Sequence, residues 1–206
     1  MVNDIKKIVL AVVMALITAI SAQLSFKIGP VPYTMQNFGV MLSGFLLGPY
    51  YGFVSMVIYL LLIALALPVA AGGGGLGVLL GPTAGFLYGF AISSFIAGIF
   101  RRLIWKNGEK REVFLLWIST LIASAPVYIL GFLVFYNFAV NNQPLLSWSE
   151  NATRTFGLNF ASPAMVIFAA TVLIFIPQDF FVDHLLAVLV YRYVYRMLKE
   201  RGMEVD

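Results

Sequence analysis

The chain has no cysteine and a single histidine, His184, and only 11% of its 206 residues are charged. The missing cysteine excludes disulfides, thiolate metal sites and a cysteine nucleophile. One histidine excludes a His-rich metal centre and argues against a His-based catalytic relay. The shortage of charge carries more information. A soluble domain has about 25% charged residues, and a chain with 61% hydrophobic residues cannot cover a water-facing surface with so few. The charges are also missing in blocks. No Lys, Arg, Asp, Glu or His occurs between Lys27 and Arg101, between Glu112 and Glu150, or between Arg154 and Asp179. At about 20 residues per crossing, such blocks hold several membrane spans. The net charge of +4 does not point to nucleic acid, because the basic residues flank the apolar segments.

Apolar segments run over roughly 5–25, 34–48, 50–68, 82–101, 113–137 and 163–198. The pattern predicts an all-α integral membrane protein of six transmembrane helices in one domain spanning 1–206. Helices are required because no segment alternates polar and apolar residues as a barrel strand does. Lys6 and Lys7 precede the first apolar segment as they would in a signal peptide, but with the remaining chain equally apolar this reads as a retained first helix. The second segment is short and ends at Gly48-Pro49. The last is too long for one crossing, and Pro177 is expected to divide it into an embedded arm (163–176) and a final helix (178–198). With both termini cytoplasmic, that side collects Lys6, Lys7, Arg101, Arg102, Lys106, Lys110, Arg111, Arg192, Arg196, Lys199 and Arg201, whereas Lys27 and Arg154 lie outside. This positive-inside bias also requires an even number of crossings.

Three outer connections are candidates for chemistry. The first, Phe26 to Thr34, is stiffened by Pro30 and Pro32. The second, Ala70 to Pro82, carries Gly72, Gly73, Gly74, Gly75 and Gly77 and no charge. Its glycines allow positive φ and close backbone approach to a ligand, or simply a tight re-entrant connection. It has no phosphate-loop ending. The third, 138–162, is the most polar stretch and reads equally as an extracellular lid or a plain surface loop. It contains Glu150 and Arg154.

Asp179 and Asp183 are the acidic residues inside the apolar stretches, spaced four apart as on one helix face. Asp179 stands about 20 Å from Arg192 by helix rise, toward the outer half of the bilayer. A carboxylate there is costly and marks a functional site by default, here as an acceptor for ligand N–H groups. The alternative is that both aspartates sit in the interface or cap the helix after Pro177. Ala11, Ala15 and Ala19 form a narrow ridge on the first helix, suited to close helix contact within the chain or with a separate membrane partner.

These residues also carry a resemblance. Gly29-Pro30-Val31-Pro32-Tyr33-Thr34-Met35-Gln36 with the preceding Ile28, then Leu42-Ser43-Gly44-Phe45-Leu46-Leu47-Gly48-Pro49, the glycine-rich stretch from Leu67 to Phe86, and Phe175-Ile176-Pro177-Gln178-Asp179 resemble the motifs of the BioY family. These are the biotin-specific substrate-binding (S) components of energy-coupling-factor (ECF) transporters. The resemblance covers roughly 10–105 and 165–198. It implies six helices, an outward-facing biotin pocket, and a first helix meeting a transmembrane coupling subunit (the T component). Two ATPase subunits would hydrolyse ATP, so this chain would be a transport subunit of the cell membrane, with no cofactor of its own and no enzymatic role. Asp179 matches the aspartate that reads the biotin ring. In the family's Pro-Gly-Asp-x-x-Lys pattern, Gln178 stands for Gly and Val182 for the Lys that pairs with the vitamin's carboxylate. Thr83-Ala84-Gly85-Phe86 stands for Thr-Gly-Gly-Tyr. Lys27 and Arg154 are the outer cations able to replace the missing charge.

The candidate substrate-binding residues are therefore Asp179, Tyr33, Gln36, Gly73, Gly74, Gly75, Thr83, Phe86, Asp183 and Arg154. The candidate partner interface is Ala11, Ala15 and Ala19. Two other readings stand beside biotin capture. One is an S component for another vitamin or precursor lacking a carboxylate. The other is a solitary proton-coupled carrier using Asp179 and Asp183 directly.

Overall fold

The structure, a computed structural model, describes residues 2–27 and 29–202. Ile28, in the first outer connection, lies outside them. Five helical stretches are long and apolar enough to cross a membrane: 4–23, 36–64, 84–104, 110–139 and 163–200. The second of them is not one rod. Helix α2 (Gln36–Ala64) follows α1 (Val2–Gln23) and is broken at Gly48, whose φ of 73° and ψ of −178° are non-helical. The side-chain amide of Gln36 donates to the Tyr59 hydroxyl at 2.7 Å, although in a straight helix these residues would stand about 34 Å apart. The chain therefore doubles back, with 36–47 descending and 49–64 returning. A left-handed glycine followed by proline makes the turn, because Gly48 takes the positive φ and Pro49 opens the second leg without needing an N–H partner. Counting the two legs separately restores the six crossings that the hydropathy predicts.

The legs lie close because small residues line the contact. The backbones of Gly44 and Gly52 face each other, with Ser94, Ala97 and Gly98 of α4 (Ala84–Ile104) against them. In lipid, where apolar side chains gain little by leaving the solvent, such close backbone approach is what holds helices together. Across the hairpin's other side, Gly39 lies directly on Thr18 of α1. The ridge Ala11, Ala15 and Ala19 is buried within the chain, at 0%, 0% and 6% exposure. It is thus occupied by this chain's own core and not open to a second subunit. The face α1 leaves exposed carries Ile8, Val9, Val12, Leu16 and Ile20 instead.

Helices α5 (Lys110–Ala123) and α6 (Ala125–Ala139) form one bent crossing that hinges at Ser124, just before Pro126. The polar connection that follows contains α7 (Gln143–Thr155), whose first turn is capped by the Asn142 side chain accepting from the Leu145 N–H at 3.2 Å. The last stretch is divided, as expected near Pro177, but at Ile174–Phe175. Helix α8 (Pro163–Phe168) widens into a π-helical segment, Ala169–Leu173. A short α9 (Ile176–Gln178), with Pro177 in its first turn, leads to a second π segment, Asp179–His184, and then α10 (Leu185–Glu200).

One end of the bundle gathers the basic residues. Lys7 lies 5.7 Å from the Tyr51 ring centroid, the Arg102 guanidinium sits beside Gly48, and Tyr195 donates to the Lys106 carbonyl. Positive-inside bias makes this the cytoplasmic end. At the opposite end stand a two-stranded antiparallel hairpin, β1 (Ser25–Lys27) and β2 (Pro32–Thr34), and the glycine-rich connection with its short helix α3 (Leu76–Leu79).

Candidate ligand-binding site

A cavity of about 390 Å³ opens at that outer end, within the size range of small-molecule sites. Its walls come from the β hairpin, the glycine-rich connection, the outer ends of α2 and α4, the first turn of α6 in the middle of its crossing, and the start of the second π segment. Phe86, Leu87, Phe90, Val127 and Phe175 make it largely apolar, and Thr34, Gln36, Asn37, Thr83, Tyr128 and Asp179 place polar groups in it.

Asp179 is the group with the strongest chemistry. It is 5% exposed and lines the cavity, and its Oδ2 accepts from the Tyr128 hydroxyl at 2.8 Å. Asn37 lines the same cavity. A buried carboxylate held this way is an acceptor preorganised for N–H donors, and desolvation makes each such bond count for more. Tyr128 and Asn37 were not singled out by the sequence. Each lies inside an apolar helix, and only the fold brings Tyr128 to Asp179 and Asn37 to the cavity wall.

Asp183 behaves differently. It is fully buried, its Oδ2 accepts from the Phe38 N–H at 3.3 Å and its Oδ1 from the Gln178 side chain at 2.8 Å, and it does not line the cavity. The i, i+4 spacing places the two aspartates one turn apart, yet only Asp179 reaches the cavity, because Asp183 is held by the Phe38 N–H and the Gln178 amide. Both lie in the π-helical segment Asp179–His184, whose i→i+5 turn is wider than an α turn. The same widening accompanies a bond from Trp117 Nε1 to the Phe180 carbonyl at 2.8 Å. Gln178 ties the segment to the hairpin, since its amide also donates to the Thr34 carbonyl at 3.2 Å. Replacing Gln178 by leucine leaves a buried aspartate oxygen without its donor. A loss of about 1–3 kcal/mol of stability is expected, read as a lower thermal midpoint in detergent, and an unchanged midpoint would show the bond to be idle.

The hairpin register explains Tyr33. Phe26 pairs with Tyr33 and Lys27 with Pro32, and successive side chains point to opposite faces. Tyr33 therefore turns from the cavity and stacks between Phe26, at 4.9 Å, and Phe175, at 4.2 Å, while its hydroxyl donates to the Ile174 carbonyl at 3.3 Å. Burial first, and the field of Asp179 second, raise its phenol above the ordinary value, so it stays a neutral donor. Gln36 does line the cavity; its amide holds Tyr59, whose hydroxyl in turn donates to the Val69 carbonyl at 3.0 Å.

Of the glycine-rich connection, Ala70, Ala71, Gly72 and Gly77 face the cavity, whereas Gly73, Gly74 and Gly75 do not. Those three shape the wall. Gly73 and Gly75 hold φ of 104° and 93°, Ala70 and Gly73 exchange backbone hydrogen bonds at 2.9 Å, and the Gly75 N–H donates to the Ile63 carbonyl at 2.7 Å. Thr83 and Phe86 line the cavity directly. Arg154 is elsewhere: it lies on α7, 68% exposed, 4.0 Å from Glu150, beside a separate outer pocket. Val182 is 47% exposed and outside the cavity wall.

The BioY family model matches residues 1–200. The chain belongs to the BioY family. Among its relatives, a probable biotin transporter BioY of Pyrococcus horikoshii is 37% identical over 68% of this chain and 81% of its own. The biotin transporter BioY of Thermotoga maritima is 36% identical over 66% and 78%. A crystal structure at 2.1 Å of the S-component for biotin from an ECF-type ABC transporter superposes with a TM-score of 0.72 at 26% identity, covering 94% of this chain and 93% of that one. The bundle thus has the architecture of that S-component.

Proposed function

We propose that this chain is the substrate-binding transmembrane subunit of an ECF-type transporter and captures extracellular biotin. The observation that carries the reading is the outer, mainly apolar cavity with one buried carboxylate, Asp179, fixed by Tyr128. Biotin is a fused bicycle with a cyclic urea at one end and a valerate tail at the other. Its urea N–H groups are donors suited to a buried carboxylate acceptor, and its thioether ring and methylenes suit walls built from Phe86, Leu87, Phe90 and Phe175. The relatives' biotin specificity agrees with this chemistry.

In this mechanism the ligand enters from the outer face, its ring displacing water from the aromatic walls while the urea meets Asp179. Helix α7 acts as the lid. Trp148, on α7, lies against Gly29, one of the cavity-lining residues of the first connection, and its ring packs 5.8 Å from Phe135. Gly29 has a φ of 152°, and any side chain there would run into the Trp148 indole. Release to the cytoplasm would then be driven by ATP hydrolysis on two partner ATPase subunits, reached through a membrane coupling subunit. With the alanine ridge filled internally, the coupling surface falls on another face of the bundle.

Uptake of labelled biotin in cells expressing this chain with a coupling subunit and ATPases tests the reading. Accumulation is expected with active ATPases and is expected to vanish when their nucleotide-site lysines are replaced. Undiminished uptake without ATP hydrolysis would establish a solitary carrier instead.

A further inference from the structure

Among the described residues, Lys27 is the one cation that lines the cavity. Its place follows from the hairpin. The register Ser25↔Thr34, Phe26↔Tyr33 and Lys27↔Pro32 puts Phe26 and Tyr33 on the face stacked against Phe175, and puts Lys27, Pro32 and Thr34 on the face that looks into the cavity. Thr34 marks the inner end of this wall, because its carbonyl accepts from Gln178, the residue next to Asp179. Pro32 and its pair Lys27 lie two residues further out, about 7 Å along the strand. The cavity is therefore electrically polar along its length, with a carboxylate at the buried end and an ammonium at the mouth. The other outer cation is held elsewhere, since Arg154 pairs with Glu150 beside a different pocket.

We infer that Lys27 is a specificity-determining residue that pairs with the ligand's terminal carboxylate, so that the site reads a urea at one end and an acid at the other. The inference rests on the biotin reading above. A flexible lysine at the mouth reaches a carboxylate on a valerate tail while the ring stays on Asp179, and its strongly hydrated point charge favours an anion without demanding bidentate geometry. Position 182, where the family's motif carries a lysine, faces away from this cavity. The valine there does not leave the ligand's acid unanswered, because the compensating charge comes from the hairpin instead of the last helix.

The test measures binding of biotin and of its uncharged primary amide by the detergent-solubilised protein, its Lys27→Gln and Lys27→Arg variants, and Arg154→Gln. Wild type is expected to prefer the acid over the amide by about tenfold, a preference worth about 1.4 kcal/mol. That preference should weaken as salt rises. Lys27→Gln should bind both ligands alike and as wild type binds the amide, Lys27→Arg should keep the preference, and Arg154→Gln should match wild type. Lys27 is exposed in a short hairpin, so the glutamine variant is expected to fold, and undiminished amide binding reports that it has. If wild type binds biotin but Lys27→Gln retains the preference, or loses acid and amide equally, the assignment of Lys27 is overturned and the biotin site stands. If wild type binds neither ligand, the biotin reading itself fails and this inference with it.

Discussion

Asp179→Ala is expected to weaken biotin binding by about ten- to a hundredfold. A hydrogen bond to a charged group contributes about 1.5–3 kcal/mol, and each 1.4 kcal/mol is a factor of ten. The substitution also strands the Tyr128 hydroxyl, whose acceptor is the Asp179 carboxylate. Asp179→Asn separates charge from shape. It keeps the volume and one acceptor oxygen but turns the other position into a donor that competes with the ligand's own N–H groups, so a loss of at least about tenfold is expected. Tyr128→Phe removes the donor without adding a rival and should cost less than either. Titration calorimetry on purified protein orders the three. Equal affinity in wild type and both Asp179 variants would mean that the ligand does not use this carboxylate.

The second large effect concerns the helix pair on which the cavity is built. A side chain at Gly98 would overlap the backbone of Gly48 and Pro49, where α4 meets the turn of the α2 hairpin. Backbone cannot rotate aside as a side-chain tip can, so Gly98→Val should reach or exceed the usual 1–3 kcal/mol cost of overpacking. Most of the protein is expected to leave the monodisperse peak in detergent, and the remainder should melt well below wild type. Gly77→Ala is the matched control. A Cβ there meets nothing within 4 Å, so its thermal midpoint should not change, although a methyl group facing the cavity can alter affinity. A Gly98→Val protein as stable as wild type would contradict the hairpin and its contact with α4.

Much of this architecture is legible in the residues. Charge-free blocks mark the crossings, Lys and Arg mark the cytoplasmic end, and Gly48-Pro49 marks a boundary because a left-handed glycine before proline cannot continue a helix. Asp179 stands out since an ionisable group in an apolar stretch needs a reason to be there. Local pattern does not reveal what long-range packing decides. The spacing of Asp179 and Asp183 suggests a shared role, but Asp183 is taken up by the Phe38 N–H and the Gln178 amide, and the partner from α2 is not readable from the local sequence. The ridge of Ala11, Ala15 and Ala19 correctly signals a close helix contact, yet a one-dimensional pattern is silent on whose helix fills it. In the glycine-rich connection, positive φ is foreseeable at Gly73 and Gly75, whereas the inward turn of Ala70, Ala71 and Gly72 depends on the Ala70–Gly73 backbone pair. Helix α7 did have a local signal, Asn142 before Gln143-Pro144, a side-chain cap followed by proline in the first turn.

The most direct test of the account is equilibrium titration of biotin into the purified, monodisperse protein in detergent, without any partner subunit. Saturable binding at about micromolar affinity or tighter, equivalent to roughly 8 kcal/mol or more, is expected, with desthiobiotin competing because it keeps the cyclic urea that meets Asp179. The absence of saturable biotin binding in folded protein would contradict the assignment of this cavity to biotin.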